Sequence, residues 1–349
     1  MQSKKTKIMG LFSFLVRELA IDLGTANTVI TEEDKIVVEE PSIIAREIRT
    51  NKIVAVGKKA QQMHGRTHEH IETVRPLRNG VIADFEAAEA MINGLIEMSR
   101  NKRSFFSPSL RVVVGIPSGA TEVEKRAVKN SAEHCGAKEV FLIYEPMASA
   151  IGVGLDVTAP EGNMVIDIGG GTSEIAVISL GGIVTHKSIR VAGDEFTEDI
   201  KEYMRRTHNI KIYDRTAEEI KINVGSALQF LENPPADYLV RGPHQMTSLP
   251  VEISVNYSEV AIALDKSLQK LESAVLEVLE NTPPELYADI YKNGIFLTGG
   301  GAMLRGLDKR LSEKTKINIK VAEDPIHAVA KGTYIALKNA EKFPFIMKV

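Results

Sequence analysis

Two aspartates interrupt otherwise apolar runs in this 349-residue chain: Asp22 in Ala20-Ile21-Asp22-Leu23-Gly24-Thr25, and Asp167 in Val165-Ile166-Asp167-Ile168-Gly169-Gly170-Gly171-Thr172. Burying an unpaired carboxylate is costly, so a carboxylate in such a strand needs a partner. Each aspartate is followed by a glycine turn that ends in, or contains, a threonine. Glycine lets successive backbone N–H groups converge on an anion with no Cβ in the way. A third glycine turn, Gly299-Gly300-Gly301, follows Ile295-Phe296-Leu297-Thr298. One such turn is weak evidence, and one strand-end aspartate can simply cap its own turn. Two matching strand–Asp–Gly–Thr units plus a third glycine-rich junction point to phosphate groups and to Mg²⁺, which favours hard oxygens and bridges to phosphates.

Other phosphate and nucleophile plans lack their signatures. The chain contains no Gly-x-x-x-x-Gly-Lys-Ser/Thr, and Gly152-Val153-Gly154 lies inside a helical pattern rather than at a strand–turn–helix junction. Gly115-Ile116-Pro117-Ser118-Gly119 carries its serine one place late for a nucleophile elbow. The lone cysteine, Cys135, excludes an intramolecular disulfide and a multi-cysteine zinc site. It reads as a packed thiol in the last turn of a helix closed by Gly136. A net charge of −3 argues against nucleic acid as the main partner. No apolar run approaches the roughly 18 residues of a membrane span.

The elements that must position these residues alternate between strand and helix. Strands are expected at Leu19–Leu23, Val29–Thr31, Ile36–Val38, Ser42–Ala45, Ile53–Val56, Arg111–Ile116 and Val140–Ile143. Helices are expected over about 84–100, 121–134 and 146–155. The pattern restarts near Met164, and Asp22 and Asp167 lie 145 positions apart, about a domain length. Helices are then expected over 195–207, 216–228 and 258–280, with a β-rich stretch between 233 and 255. A helix begins near Ala302, a strand runs through Ile317–Val321, and a last helix runs from Pro325, placed at its first position, to about Asn339. This alternation indicates α/β architecture with two related halves.

At roughly 100° per residue, Ile8, Leu11, Phe12, Leu15 and Leu19 share one helical face. Ser13 and Arg17 fall opposite, and Phe14 departs from the pattern. Beside Lys4, Lys5 and Lys7, this face suits an anionic lipid interface. Arg17-Glu18 stands where a signal-peptide cleavage site would be, so secretion is not expected. A second membrane candidate is Phe105-Phe106, adjacent aromatics in a loop between Arg103 and Pro108.

Taken in order, these motifs resemble the actin–Hsp70–sugar kinase superfamily from about residue 19 to 339, and within it the membrane-associated bacterial actins. Ile21–Thr28 is similar to the first phosphate motif, Glu145–Gly152 to the first connecting helix and Asp167–Glu174 to the second phosphate motif. Leu297–Ala302 is similar to the adenosine motif, and Glu323 through Gly332 to the second connecting helix. Pro41-Ser42, Gly80–Phe85 and Thr282-Pro283-Pro284-Glu285-Leu286 resemble details of the bacterial group.

The resemblance implies an actin-like ATPase fold, with two related RNase H-like domains around a nucleotide cleft. It places an amphipathic membrane-binding segment over 1–18 and domain I over 19–153, with 325–349 returning to it. Domain II then spans 154–324, with a smaller subdomain at about 194–256. It implies ATP and Mg²⁺ as ligands, phosphate contacts from Thr25, Ala26 and Asn27 and from Gly170, Gly171 and Thr172, and Mg²⁺ held largely through water by Asp22 and Asp167. Glu218, Glu219, Ile220 and Lys221 would meet ribose and adenine, and Gly299, Gly300, Gly301 and Ala302 would face the nucleotide as well. Glu145 would orient the attacking water with help from Thr172, because phosphoryl transfer needs positioning and charge neutralisation more than covalent chemistry. Tyr144 departs from relatives, which commonly carry a second acid there.

The implied function is an ATP-dependent filament, slowly hydrolysing ATP as it polymerises. It would lie peripherally on the inner face of the cytoplasmic membrane, with Ile8, Leu11, Phe12, Leu15, Phe105 and Phe106 meeting lipid. There it would organise peptidoglycan synthesis with cell-wall elongation proteins and so determine rod shape. A filament displaying many weak anchors gains avidity. The alternatives are a soluble small-molecule kinase and an Hsp70-like ATPase of the same superfamily.

Overall fold

The structure, a computed structural model, describes residues 16–100, 109–340 and 343–349. The membrane candidates Ile8, Leu11, Phe12, Leu15, Phe105 and Phe106 lie outside these residues. The chain divides into two compact units, one running to Leu155 and resuming over His327–Val349, the other spanning Asp156–Ile326.

The first unit is built on a mixed sheet. Strands β1 (Val16–Leu23), β2 (Asn27–Glu32) and β3 (Lys35–Pro41) form an antiparallel meander. A smaller three-stranded sheet, β4 (Ile44–Glu47), β5 (Ile53–Val56) and β6 (Ile71–Val74), packs with α1 (Lys58–Met63) around Ile43, Ala45 and Ala60. A hairpin, β7 (Leu77–Arg78) and β8 (Val81–Ile82), leads to helix α2 (Phe85–Ser99). Strands β9 (Ser109–Ile116) and β10 (Ala137–Tyr144) then add parallel to β1. β9 is a near-continuous apolar run, as a strand buried on both faces requires. Helix α3 (Glu122–His134) lies between them, opened by a capping box from Thr121 and Glu124. Helix α4 (Glu145–Gly152) follows β10 directly, with Pro146 in its first turn where no N–H is needed.

The second unit repeats the plan. β11 (Asn163–Ile168), β12 (Ser173–Ser179) and β13 (Gly182–Ile189) form its antiparallel meander. Helices α5 (Gly193–Thr207) and α6 (Asp214–Val224), hairpin β14 (Tyr238–Pro243) with β15 (Pro250–Val255), and long helix α7 (Tyr257–Glu280) follow. After α8 (Pro284–Asn293), strand β16 (Ile295–Thr298) pairs parallel with β11. A 3₁₀ turn (Gly300–Met303), α9 (Leu307–Thr315) and β17 (Ile319–Val321) complete the unit. Helix α10 (Ala328–Lys338) and the short edge strand β18 (Met347–Lys348) belong to the first unit.

Both main sheets therefore have the order third–second–first–fourth–fifth strand, with β18 added on the edge of the first. The hairpins correspond residue for residue. Ile21, Asp22 and Leu23 pair with Ile30, Val29 and Thr28, while Ile166, Asp167 and Ile168 pair with Ile175, Glu174 and Ser173. Adding the sequence offset of 145 to every position of the first hairpin gives the second.

Several expected elements differ. β1 begins at Val16, so Arg17 and Leu19 belong to a strand and not to an amphipathic helix. Leu19 is fully buried, and Arg17 makes a two-pronged pair with Glu32 at 2.7 Å and also bonds the Ser99 carbonyl. A helical wheel cannot detect this, because the apolar spacing of 15 and 19 fits either period. The final helix starts at Ala328 rather than Pro325. The Pro325 carbonyl instead accepts the Gly299 N–H at 2.8 Å. Helix α6 stops at Val224, where Gly225 takes extended backbone, and the helix expected near Ala302 is one 3₁₀ turn, separated from α9 by left-handed Gly306.

Candidate functional site

In the first unit, the carboxyl ends of parallel strands β1, β9 and β10 are neighbours: Ile21 pairs with Val114, and Gly115 with Ile143. That edge of an α/β sheet is where ligand-binding loops collect. It carries Asp22, Gly115 and, immediately after β10, Glu145. An ideal Cβ on Gly115 would sit 3.7 Å from the Glu145 Cγ, so the Glu145 stem lies against this glycine. Asp22 and Glu145 are both part-exposed.

The Gly24–Ala26 turn is held in shape by two short motifs whose role the sequence did not disclose. Ser42 donates its backbone N–H to the Ala26 carbonyl at 2.9 Å and its hydroxyl to the Gly24 carbonyl at 2.6 Å. Thr28 Oγ1 lies 2.9 Å from the same Ser42 oxygen. Gly80, in the β7–β8 turn, donates its N–H to Thr25 Oγ1 at 3.0 Å. Asn79 and Gly80 both adopt positive φ, 52° and 76°, as a two-residue Asn-Gly hairpin turn demands. Ser42 and Gly80, within Pro41-Ser42 and Gly80–Phe85, thus brace the Gly24–Ala26 turn. Their only prior signal was resemblance. Gly24 itself has no room for a side chain, since a Cβ would stand 2.6 Å from the Asn27 carbonyl.

The second unit places Asp167 at the matching strand end, in a different environment. Asp167 is 5% exposed and accepts the Thr298 hydroxyl at 2.9 Å. Burial pushes its carboxyl up to about 7, opposed by the Thr298 bond and reinforced by the charge of Glu174. The difference from Asp22 comes from the flanking strand: β16 lays Thr298 and Gly299 against Asp167. Gly299 has φ +79°, and a Cβ there would stand 2.3 Å from the Ile168 carbonyl and 2.8 Å from Asp167 Oδ1. A Cβ on Gly301 would strike Ile168 Cγ2 at 2.2 Å, whereas Gly300 faces open space. Two of these three glycines are therefore required by packing on β11, and Gly300 alone leaves backbone open to a ligand. Ala302 is 4% exposed and Ile220 is fully buried, so both side chains pack in the unit's core.

The Gly169–Thr172 turn closes on itself through Gly169 N–H to the Thr172 carbonyl at 3.0 Å. The first turn of α5 braces it: Gly193 and Asp194 donate N–H groups to the Gly169 and Gly170 carbonyls at 3.1 and 2.7 Å. Ser173 bonds the Val191 carbonyl at 2.6 Å. On α6, Glu218 and Lys221 pair at 2.7 Å beside Thr197. Glu219 instead takes Arg215 and the Tyr238 hydroxyl.

A buried carboxylate is a hard oxygen donor of the kind Mg²⁺ selects, and a cation would offset the burial cost at Asp167. Among the described residues no cluster of three or more His, Cys, Asp or Glu forms a protein-only metal cage.

A protein-family model described as MreB/Mbl protein matches residues 16–344. The cell shape-determining protein Mbl of Bacillus subtilis is 46% identical over 329 residues, covering 94% of this chain and 98% of that protein. The cell shape-determining protein MreB of Escherichia coli is 47% identical over 337 residues, covering 95% of each. Among solved structures, MreB5 of Spiroplasma citri bound to AMPPNP superimposes with a TM-score of 0.87 at 38% identity, over 93% of this chain and 97% of that one. The MamK double helical filament subunit shares the fold at a TM-score of 0.77 and 21% identity, over 94% of this chain and 100% of that chain.

Proposed function

The chain belongs to the MreB/Mbl protein family, and from that premise we propose that it is an actin-like, adenine-nucleotide-dependent cytoskeletal protein that determines cell shape. The observation that carries this reading is the pair of Asp–Gly–Thr hairpins in identical register, each braced by buried hydrogen bonds. A fold that builds the same phosphate turn twice, each with one carboxylate at the strand end, suits a magnesium-bound polyphosphate. That MreB5 of Spiroplasma citri takes AMPPNP and ADP supports an adenine nucleotide as the ligand.

In this reading Thr25, Ala26 and Asn27 from one unit, and Gly170, Gly171 and Thr172 from the other, contact phosphate. Asp22 and Asp167 hold Mg²⁺ through water, and the bound ion would neutralise charge on phosphate oxygens. Glu145 accepts a hydrogen bond from the attacking water and orients it, with Thr172 assisting. Gly300 supplies open backbone toward the nucleotide, and Glu218 lies on the helix that meets the ribose. Nucleotide-dependent self-association into filaments follows from the family's cytoskeletal role. Attachment to the inner face of the cytoplasmic membrane, through residues 1–15 and the Phe105-Phe106 loop, and coupling to peptidoglycan synthesis complete the proposal.

Calorimetry and sedimentation test the reading together. The full chain should bind ATP in a Mg²⁺-dependent manner and pellet at high speed when ATP and anionic liposomes are present. Absence of magnesium-dependent affinity for ATP or ADP would remove its basis.

A further inference from the structure

Lys221 lies on the helix that resemblance assigns to ribose and adenine, yet its ammonium group is already occupied within the protein. Its Nζ lies 2.7 Å from the Gly193 carbonyl, 3.0 Å from Thr197 Oγ1 and 2.7 Å from a Glu218 carboxylate oxygen. An ammonium has three donors, and here three acceptors take them. Thr197 Oγ1 is in turn 2.9 Å from both the Gly193 carbonyl and Glu218. The Lys221 side chain is 15% exposed and Thr197 6%, so these two are largely shielded from water, while Glu218 closes the cluster from its solvent side at 47% exposure.

The acceptor that matters is Gly193. Its own N–H donates to the Gly169 carbonyl, and the N–H of Asp194 donates to that of Gly170. The space is tight: a Cβ on Gly193 would lie 3.3 Å from the Gly169 carbonyl and 3.4 Å from Lys221 Nζ. One peptide unit thus joins the Lys221 cluster on α6 to the Gly169–Thr172 turn, through the first turn of α5.

We propose that Lys221 is a positioning residue that acts on phosphate affinity through Gly193, locking the first turn of α5 against the Gly169–Thr172 turn, with Thr197 and Glu218 completing the lock. The inference rests on the reading that this turn holds phosphate. It predicts that Lys221 governs how tightly a nucleoside polyphosphate is held while leaving adenosine recognition to other groups. The effect works through shape. Without the lock, the turn's N–H groups are no longer pre-aimed at the phosphate oxygens, and ordering them becomes a cost of binding.

The test measures MgATP and adenosine affinities of the full-length wild type, Lys221→Met and Thr197→Val, together with amide hydrogen exchange at Gly193 and Asp194. Lys221→Met should weaken MgATP binding roughly tenfold, the scale of a lost charged hydrogen bond, and leave adenosine affinity within about twofold. Thr197→Val, altering a hydroxyl too buried to touch a ligand, should weaken MgATP in the same direction. The double variant should lose no more than Lys221→Met, because both changes open one cluster. Exchange at Gly193 and Asp194 should quicken in each variant. Equal losses for adenosine and MgATP with a silent Thr197→Val would make Lys221 a direct ligand and overturn the proposal, as would unchanged affinities and unchanged exchange. A wild type that binds no MgATP would defeat the phosphate reading instead, and the exchange rates would still decide whether the lock exists. If Lys221→Met does not fold, Thr197→Val carries the same comparison.

Discussion

Glu145 and Asp167 are both carboxylates at strand ends, and their surroundings set them to different tasks. Glu145 opens α4, where a negative charge is favoured by the helix N-terminus, and its position is part-exposed. Glu145→Gln keeps shape and removes charge, so ATP hydrolysis should fall about 10²-fold or more with ATP affinity within twofold. A loss of thermal stability with hydrolysis unchanged would reduce Glu145 to a helix-terminus charge. Asp167 is buried against Thr298 and Gly299 with its carboxyl pushed up to about 7. Burial disfavours its ionised form. Asp167→Asn should therefore melt no lower than the wild type, while the Mg²⁺-dependent part of nucleotide affinity disappears. A variant that melts much lower and still responds to Mg²⁺ would contradict that assignment. Cys135 belongs to the same scale: buried, with its thiol pushed up to about 12, it is the packed residue its helix-end context suggested.

Helices α4 and α10 illustrate how two elements can be joined by the absence of side chains. A Cβ on Gly332 would lie 1.7 Å from the Ala148 carbonyl, and one on Gly152 would lie 1.9 Å from the Ala328 carbonyl. The helices therefore cross backbone to backbone. Gly152-Val153-Gly154, which resembles a stray glycine pair in the sequence, contains one of these contact points. Since α4 carries Glu145 at its first position, the crossing also fixes where that carboxylate stands. Gly332→Ala should lower stability by about 1–3 kcal/mol, the usual cost of overpacking, and drop the melting temperature by several degrees. An unchanged melt would mean the helices separate freely, and the crossing would then hold nothing in place. The braces of the Gly24–Ala26 turn act at the same level, because Ser42 and Gly80 come from separate elements and meet there.

For the molecule as a whole, the proposed attachment to a membrane can be tested at the first strand. Among the described residues no helix is long and apolar enough to cross a membrane. β1 starts at Val16, with Arg17 paired to Glu32 and Leu19 buried. A truncation ending at Leu15 therefore leaves the central sheet intact, whereas one reaching residue 18 would remove part of it. Deleting residues 1–15 should preserve ATP binding and folding and cut co-sedimentation with anionic vesicles several-fold, more at low salt than at high salt because the attraction contributed by the basic residues Lys4, Lys5 and Lys7 is screened. Undiminished vesicle binding by the truncated chain would shift the anchor elsewhere.

The sequence alone determined the duplicated architecture and the chemistry of its turns. An apolar strand cannot carry an aspartate without a reason, and two such strands 145 positions apart, each ending in a glycine turn, express one local pattern twice. Local patterns of this kind survive folding because backbone conformation and strand burial are set within a few residues. Tertiary structure decided everything that depends on which distant segment lies alongside. Asp167 is buried and Asp22 is not, because β16 rather than β9 flanks it. Ser42, Gly80 and Gly193 became braces, and Gly299 and Gly301 proved to be packing residues against Ile168. Lys221 was turned onto Gly193. Hydrogen bonds and excluded volume between segments tens or hundreds of positions apart leave no period in the chain, so only the folded arrangement reveals them.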